Sequence, residues 1–261
     1  TILIAPLMTC SARLPVYVLL IAAFVPATTV WGGIGLQGLV MFGLYATGIV
    51  GALVVAGVLR LTLLRGESQP LLMELPHYKW PNPANVLLGL WERAKIFMRR
   101  IGTVILSVLV LLWFLSTFPA PPDGATEPAI YYSFAGQIGH ALEPLLAPIG
   151  FNWQIAVALV PGLAAREVAV AALGTVYALS GDEGAVTEAL TATLAQNWTL
   201  ATALALLAWY VFAPQCLATL AAVRRETNSW RWAAFMFAYL MTLAYIAAFV
   251  TYRVALALGG G

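Results

Sequence analysis

From Ile2 to Leu59 this chain carries a single charged residue, Arg13. So long an apolar stretch belongs in lipid hydrocarbon, where a helix satisfies its own backbone hydrogen bonds. The constraint falls hardest on Thr9-Cys10-Ser11-Ala12-Arg13-Leu14-Pro15-Val16-Tyr17, which sets a thiol, a hydroxyl, a guanidinium and a proline inside the run. Pro15 removes one backbone donor and disfavours helical geometry at Leu14. A break at membrane depth is tolerated only where it faces protein or a water-filled cavity. Cys10 to Pro15 therefore reads as an interrupted membrane element lining a polar path. A plainer reading also fits: residues 14–31 span alone, and Arg13 snorkels at the inner edge.

Hydrophobic residues make up 62% of the 261 and charged residues 9%, against roughly 25% charged in soluble domains. The expected fold class is an all-α polytopic membrane protein. The net charge of +2 is uninformative about partners, and no basic stripe points to nucleic acid; the lipid bilayer is the expected partner. No basic segment with a cleavage site opens the chain, so no secretory signal is expected. The chain starts almost inside a membrane segment, which suggests the C-terminal part of something longer. Two cysteines, Cys10 and Cys216, lie in apolar surroundings near helix breaks, where a reduced state or soft-metal chemistry fits as well as a disulfide.

Four regions follow in order. Residues 1–59 hold the first broken segment and a span from Ile34 to Leu59, with Gly48, Ala52 and Ala56 at spacing four as a close-packing stripe. Residues 60–100 hold a polar, proline-rich loop and an amphipathic interfacial helix, started by the cap Asn82-Pro83. Residues 101–198 hold a span to Phe118, an acidic loop over 119–129, two apolar stretches over 130–179, and an acidic loop over 180–198. Residues 199–261 hold two spans, the first interrupted at Pro214. Seven of the thirteen Lys and Arg lie from Arg60 to Arg100 and three from Arg224 to Arg231, which places these regions in the cytoplasm and the two acidic loops outside. Parity then requires that 130–179 cross an even number of times or form a hairpin. The break expected at Pro161-Gly162 favours a hairpin or broken helix.

Arg166-Glu167 follows that break, and intramembrane charge marks function by default. Glu167 is a candidate gate or ion-path residue. Arg13 and Arg166 cannot bind a cation, but can pair with Glu167 or cap carbonyls freed at the breaks. Ser11-Ala12-Arg13 echoes Ala164-Ala165-Arg166, each with a proline upstream, Pro6 and Pro161. Interrupted helices at corresponding places in two halves point to a transporter's binding site. Met8 adds a thioether beside Cys10. His140 and Glu143 share a helical face and line an outer vestibule or contact a metal. No His-Glu-x-x-His is present, and Asp123 and Asp182 fall in expected loops, so no intramembrane enzyme is expected.

Together these motifs resemble the membrane domain of the FeoB family of bacterial ferrous iron transporters, with its two Gate regions. The stretch Thr9–Tyr17 resembles the first Gate motif. Phe134-Ala-Gly-Gln-Ile-Gly139, Glu143-Pro144, Pro148-Ile-Gly-Phe151 and Gly162-Leu-Ala-Ala-Arg-Glu-Val168 resemble the second. Pro214-Gln-Cys-Leu-Ala-Thr219 with Arg224-Arg-Glu-Thr227 resembles the family's C-terminal cysteine segment. The family often has lysine at the place of Arg166, and Ser and Gly at those of Thr9 and Ser11. No Gly-x4-Gly-Lys-Ser/Thr occurs, so the family's N-terminal GTPase domain is expected to be absent from this chain, and any GTP and Mg²⁺ would act through it.

The resemblance implies a helical bundle with interrupted or re-entrant helices in two Gate-like halves, multi-pass in the bacterial inner membrane. It implies Fe²⁺ as the transported substrate, passing Cys10, Glu167 and Cys216. The implied partners are the N-terminal GTPase domain, small cytosolic Feo accessory proteins and further copies of the chain. Competing readings are a Gate-type transporter of a nucleoside or other solute, which wants more Asn, Gln and Ser in the broken segments, and a non-transporting membrane scaffold.

Overall fold

The structure, a computed structural model, describes residues 2–8, 10–31, 33–62, 80, 82–122, 129–164, 166, 168–177, 183–214 and 216–259. Among these residues the architecture is helical apart from one short antiparallel ribbon, β1 (Thr29–Trp31) with β2 (Ile34–Gly35). The chain is thus an all-α multi-pass membrane protein, with α2 (Leu36–Thr62) and α11 (Trp230–Ala257) each long and apolar enough to cross a bilayer.

The first apolar run is not one span. Two 3-10 turns, Ala5–Leu7 and Ser11–Arg13, precede α1 (Leu14–Phe24). Pro15 sits in the first turn of α1, where its missing N–H forfeits no helical bond. Eleven residues reach about 16 Å at 1.5 Å each, half of what a crossing needs. The ribbon then turns the chain into α2, and the Gln37 side chain donates to the Val25 carbonyl at 2.9 Å. The reading in which residues 14–31 cross alone is therefore corrected.

Helix α3 (Pro83–Thr117) is one continuous rod of 35 residues, with Asn82 Oδ1 accepting from the Ala84 amide at 3.0 Å. The amphipathic part and the apolar part expected after it are thus one helix. The loop expected before it lies, over residues 63–79, outside the described residues, and α2 continues to Thr62.

After α4 (Ala129–Tyr132) come α5 (Phe134–Leu146), a 3-10 turn (Ala147–Ile149) and α6 (Trp153–Ala164). The two limbs meet at 101°. At 13 and 12 residues, each limb is about 20 Å long or less, so neither crosses alone. Gly150 makes the bend at φ +79°, and a Cβ there would enter the Tyr252 ring of α11. Thr202 Oγ1 donates to the Gly150 carbonyl at 3.2 Å, and Tyr245 Oη to that of Leu145 at 2.9 Å. At the crossing of the limbs, Gly139 lets the chain pass close: a Cβ would lie 2.8 Å from the Trp153 carbonyl oxygen.

The break expected at Pro161-Gly162 falls elsewhere. Helix α6 runs through both residues to Ala164, and α7 (Val168–Val176) begins beyond Arg166. Proline forfeits one helical bond and need not end a helix that packing holds. Gly162 admits Ala169 and Tyr210, whose Cβ and Oη would lie 3.2 and 3.3 Å from an added Cβ.

The stretch expected as an outer loop over 180–198 is also different. Residues Glu183–Asn197 form α8. Leu190 and Leu194 are fully buried and Trp198 nearly so, packed in the main core with α1. Spacing four between these three marks a helical stripe, which the acidic composition around it obscured.

At the centre stands α9 (Leu200–Phe212), only 13 residues long, with Ala201, Ala205, Leu206, Trp209 and Tyr210 buried and one flank lying along α11. Gly51 of α2 meets it closely: a Cβ would be 2.5 Å from the Phe212 ring. Of the small-residue stripe on α2, Gly48 and Ala52 are buried and Ala56 is half-buried. Helix α10 (Leu217–Thr227) ends at Asn228 in the left-handed conformation, and Ser229 caps α11 by accepting from the Arg231 amide.

Candidate functional site

Three interruptions carry polar groups into this bundle. The first is the pair of 3-10 turns before α1, the second the segment between α6 and α7, the third residues 213–216 between α9 and α10. At the third, α9 stops one residue before the Ala213-Pro214 step, and Cys216 is extended (φ −157°, ψ 102°) as the cap of α10. Proline explains the stop, since the residue before it is pushed out of helical geometry.

Arg166 joins these interruptions. Its Nη2 donates to the Ala213 carbonyl at 3.1 Å, and its Nη1 to Cys10 Sγ at 3.8 Å. The side chain is 4% exposed. A helix end leaves carbonyls without partners, and in hydrocarbon each such group costs several kcal/mol. Arg166 satisfies one of them and reaches the thiol 156 residues away in sequence.

Arg13 is fully buried, and its Nη2 donates to the Pro6 carbonyl at 3.1 Å. Its Nε and Nη1 have no hydrogen-bond partner among the described residues. The Tyr17 hydroxyl lies close enough to interact electrostatically, yet outside hydrogen-bonding geometry. Arg13 thus neither snorkels to a surface nor borders the cavity next to it.

That cavity, of about 190 Å³, is bordered by Ala5, Pro6, Met8 and Cys10 from the first segment, by Arg166, and by Pro214, Cys216, Thr219 and Leu220 around the third, with Met236 of α11 closing it. Cys10 and Met8 are exposed and Cys216 half-buried, so the cavity opens on the side of the first segment. Both cysteines are free thiols. Of the residues singled out from sequence, Cys10, Cys216, Met8, Arg166 and Pro214 meet here. Pro15 begins α1 and Pro161 and Gly162 lie within α6, away from this lining. Glu167 lies outside the described residues. Met236 and Thr219 were not foreseen; Met236 is one apolar residue among many on α11, and only the packing marks it.

His140 and Glu143 form a separate pair. Nδ1 of His140 is 3.4 Å from Glu143 Oε2, and the imidazole packs against Tyr131 and Trp153 with ring centroids 4.6 and 4.9 Å away. Both side chains are about a third exposed. Among the described residues, no group of three or more His, Cys, Asp or Glu is placed to hold a metal, so this pair does not join the thiols in one centre.

A second, larger cavity of about 470 Å³ lies between α2, α9 and α11 and is almost wholly apolar, with Thr47 and Thr251 its hydroxyls. Among the described residues, none of those in the polar breaks borders it.

Residues 98–230 match the family model described as Gate, nucleoside recognition, and residues 41–93 that described as ferrous iron transport protein B C terminus. Among curated relatives, the Fe(2+) transporter FeoB of Leptospira interrogans is 38% identical over 97% of this chain and 38% of its own length. The FeoB of Staphylococcus aureus is 37% identical over 97% of the chain and 36% of its length. A Porphyromonas gingivalis protein, a Fe(2+) transport protein A/Fe(2+) transporter FeoB fusion, is 34% identical over 97% of the chain and 34% of its length. The chain thus spans less than two fifths of these relatives. No solved structure matches it.

Proposed function

Because this chain belongs to the ferrous iron transport protein B family, we propose that it supplies the membrane route by which Fe²⁺ enters the bacterial cytoplasm across the inner membrane. The observation that supports this reading is the cavity in which Cys10 and Cys216 meet beside Arg166. Ferrous iron is borderline in softness and accepts thiolate, imidazole and carboxylate ligands. The two thiols are the first ligands on the route and Glu167 its acidic gate. Met8 lies at the mouth, and His140 with Glu143 forms an outer vestibule. Arg13 and Arg166 hold the broken backbone open by occupying carbonyls that a continuous helix would have paired.

The size of the cavity argues for an ion over an organic solute. Pockets for small molecules run from about 300 Å³ upward, and this one is smaller, with Thr219 the one hydroxyl among its described lining residues. The regions 60–100 and 224–231 face the cytoplasm. A GTPase domain binding GTP and Mg²⁺ regulates the route through the first of these, and small cytosolic accessory proteins and further copies of the chain complete the assembly. The relative fused to a transport protein A supports the accessory partner. The chain itself is a transport element, with no catalytic residues assigned.

The test is radio-iron uptake by the full-length protein carrying Cys10→Ser, Cys216→Ser or Glu167→Gln, with manganese and zinc as competitors. Each variant is expected to lose most uptake. Wild-type rates in all three would remove this site from the route.

A further inference from the structure

Half of the chain's six methionines and two cysteines border the one cavity of about 190 Å³: the thioethers of Met8 and Met236 and the thiols of Cys10 and Cys216. They arrive from three separate segments, the 3-10 turns before α1, the break before α10, and the second turn of α11. No imidazole or carboxylate borders the cavity among the described residues. Thioethers are weak donors to Mn²⁺ and to Fe²⁺ outside a haem, whereas mixed thiolate and thioether donors favour soft cations, Cu(I) above all. Arg166 adds a positive charge 3.8 Å from Cys10 Sγ, which offsets one of the two thiolates that a bound cation requires once the thiol protons have left.

The geometry points to this cavity as a binding site for a soft monovalent d¹⁰ cation, Cu(I) or its mimic Ag(I), held by Cys10 and Cys216 with Met8 and Met236 as thioether donors. Such an ion blocks the route in place of passing through it. The binding stands on the sulfur donors alone; the block rests on the iron-conduit reading above. Of the four sulfur residues only Met8 and Cys10 are exposed, so the ion enters past them and is stopped against Met236, which is 1% exposed.

The experiment titrates purified full-length protein in detergent with Cu(I) buffered by bicinchoninate. One equivalent is expected to be held by the wild type, with retention roughly 100-fold weaker or worse in Cys10→Ser and in Cys216→Ser. Met8→Leu and Met236→Leu, which keep size and polarity close, are expected to weaken it less. X-ray absorption at the copper edge should show sulfur donors only. In the unsubstituted protein, Ag(I) is expected to shield Cys10 and Cys216 together from alkylation, read residue by residue by peptide mass spectrometry. Retention equal in wild type and both serine variants, or nitrogen and oxygen donors at the copper, overturns the site. Iron uptake in vesicles of the same protein separates the two claims. Copper held on sulfur with no iron uptake even by copper-free vesicles leaves the site and removes the conduit; uptake by copper-free vesicles without copper retention does the reverse, and uptake undiminished by one equivalent of Ag(I) removes the block.

Discussion

The two buried arginines occupy echoing positions, Ser11-Ala12-Arg13 and Ala164-Ala165-Arg166, and the structure gives them different work. Arg13 bonds the Pro6 carbonyl seven residues away and is sealed beneath the first break. Arg166 borders the cavity and reaches Ala213 and Cys10, in two distant parts of the chain. One guanidinium fastens a break to itself, while the other fastens three breaks to one another. The comparison teaches that an intramembrane charge is explained by where its fork ends, since both groups look alike in sequence. Arginine suits either task because its planar fork can serve two acceptors at once.

The largest effect should come from the sealed arginine. Arg13→Ala empties a fully buried site and strands the Pro6 carbonyl, at a cost of about 3–5 kcal/mol by analogy with large-to-small core changes. Thermal unfolding in detergent should show this loss, with uptake falling alongside it. An unchanged melting temperature would erase the distinction between the two arginines.

Next is Arg166→Lys, which keeps the charge and gives up the fork. Losing one charged hydrogen bond costs about 1.5–3 kcal/mol. The informative readout is the alkylation rate at Cys10, expected to fall once the guanidinium that donates to its sulfur is withdrawn, because the thiolate is the form that reacts. No change at Cys10 would mean that Arg166 does not couple the breaks.

A third comparison sets the bend of α5 and α6 against these breaks. Gly139→Ala forces a Cβ towards Trp153 and Val157, and overpacking of this kind costs about 1–3 kcal/mol. The melt should register it without altering alkylation at Cys10, because the crossing of the limbs is remote from the thiols. The smallest effect is expected at the outer pair. Glu143→Gln removes a 3.4 Å contact between side chains about a third exposed, worth less than about 1 kcal/mol. Its stability should be near wild type, so any lost iron uptake in that variant reports the vestibule role.

How legible the molecule was depended on the range of each signal. The interruptions near Cys10 and Pro214 were readable because proline and a lone charge act locally on the backbone. The cap at Asn82 was readable for the same reason, whereas the joining of the amphipathic and apolar parts into one helix was not. The break assigned to Pro161-Gly162 was displaced to residues after Ala164, since tertiary packing carries α6 through its proline. Helix α8 was missed because Asp182, Glu183 and Glu188, with no Lys or Arg among them, suggested an outer loop, while Leu190, Leu194 and Trp198 made a sparse stripe. The plainer alternative, a lone span over residues 14–31, failed for want of any local cue to the ribbon at Thr29–Gly35.

Sequence alone determined the solvent this chain folds in and the points at which its helices give way. Those follow from apolar runs, prolines and scarce charge, each felt within a turn or two of backbone. Only the tertiary structure decided that Cys10 and Cys216, at opposite ends of the chain, face one cavity with Met8 and Met236, and that Arg166 ties their segments together. That arrangement is set by close packing of short helices around α9, and no single segment carries it.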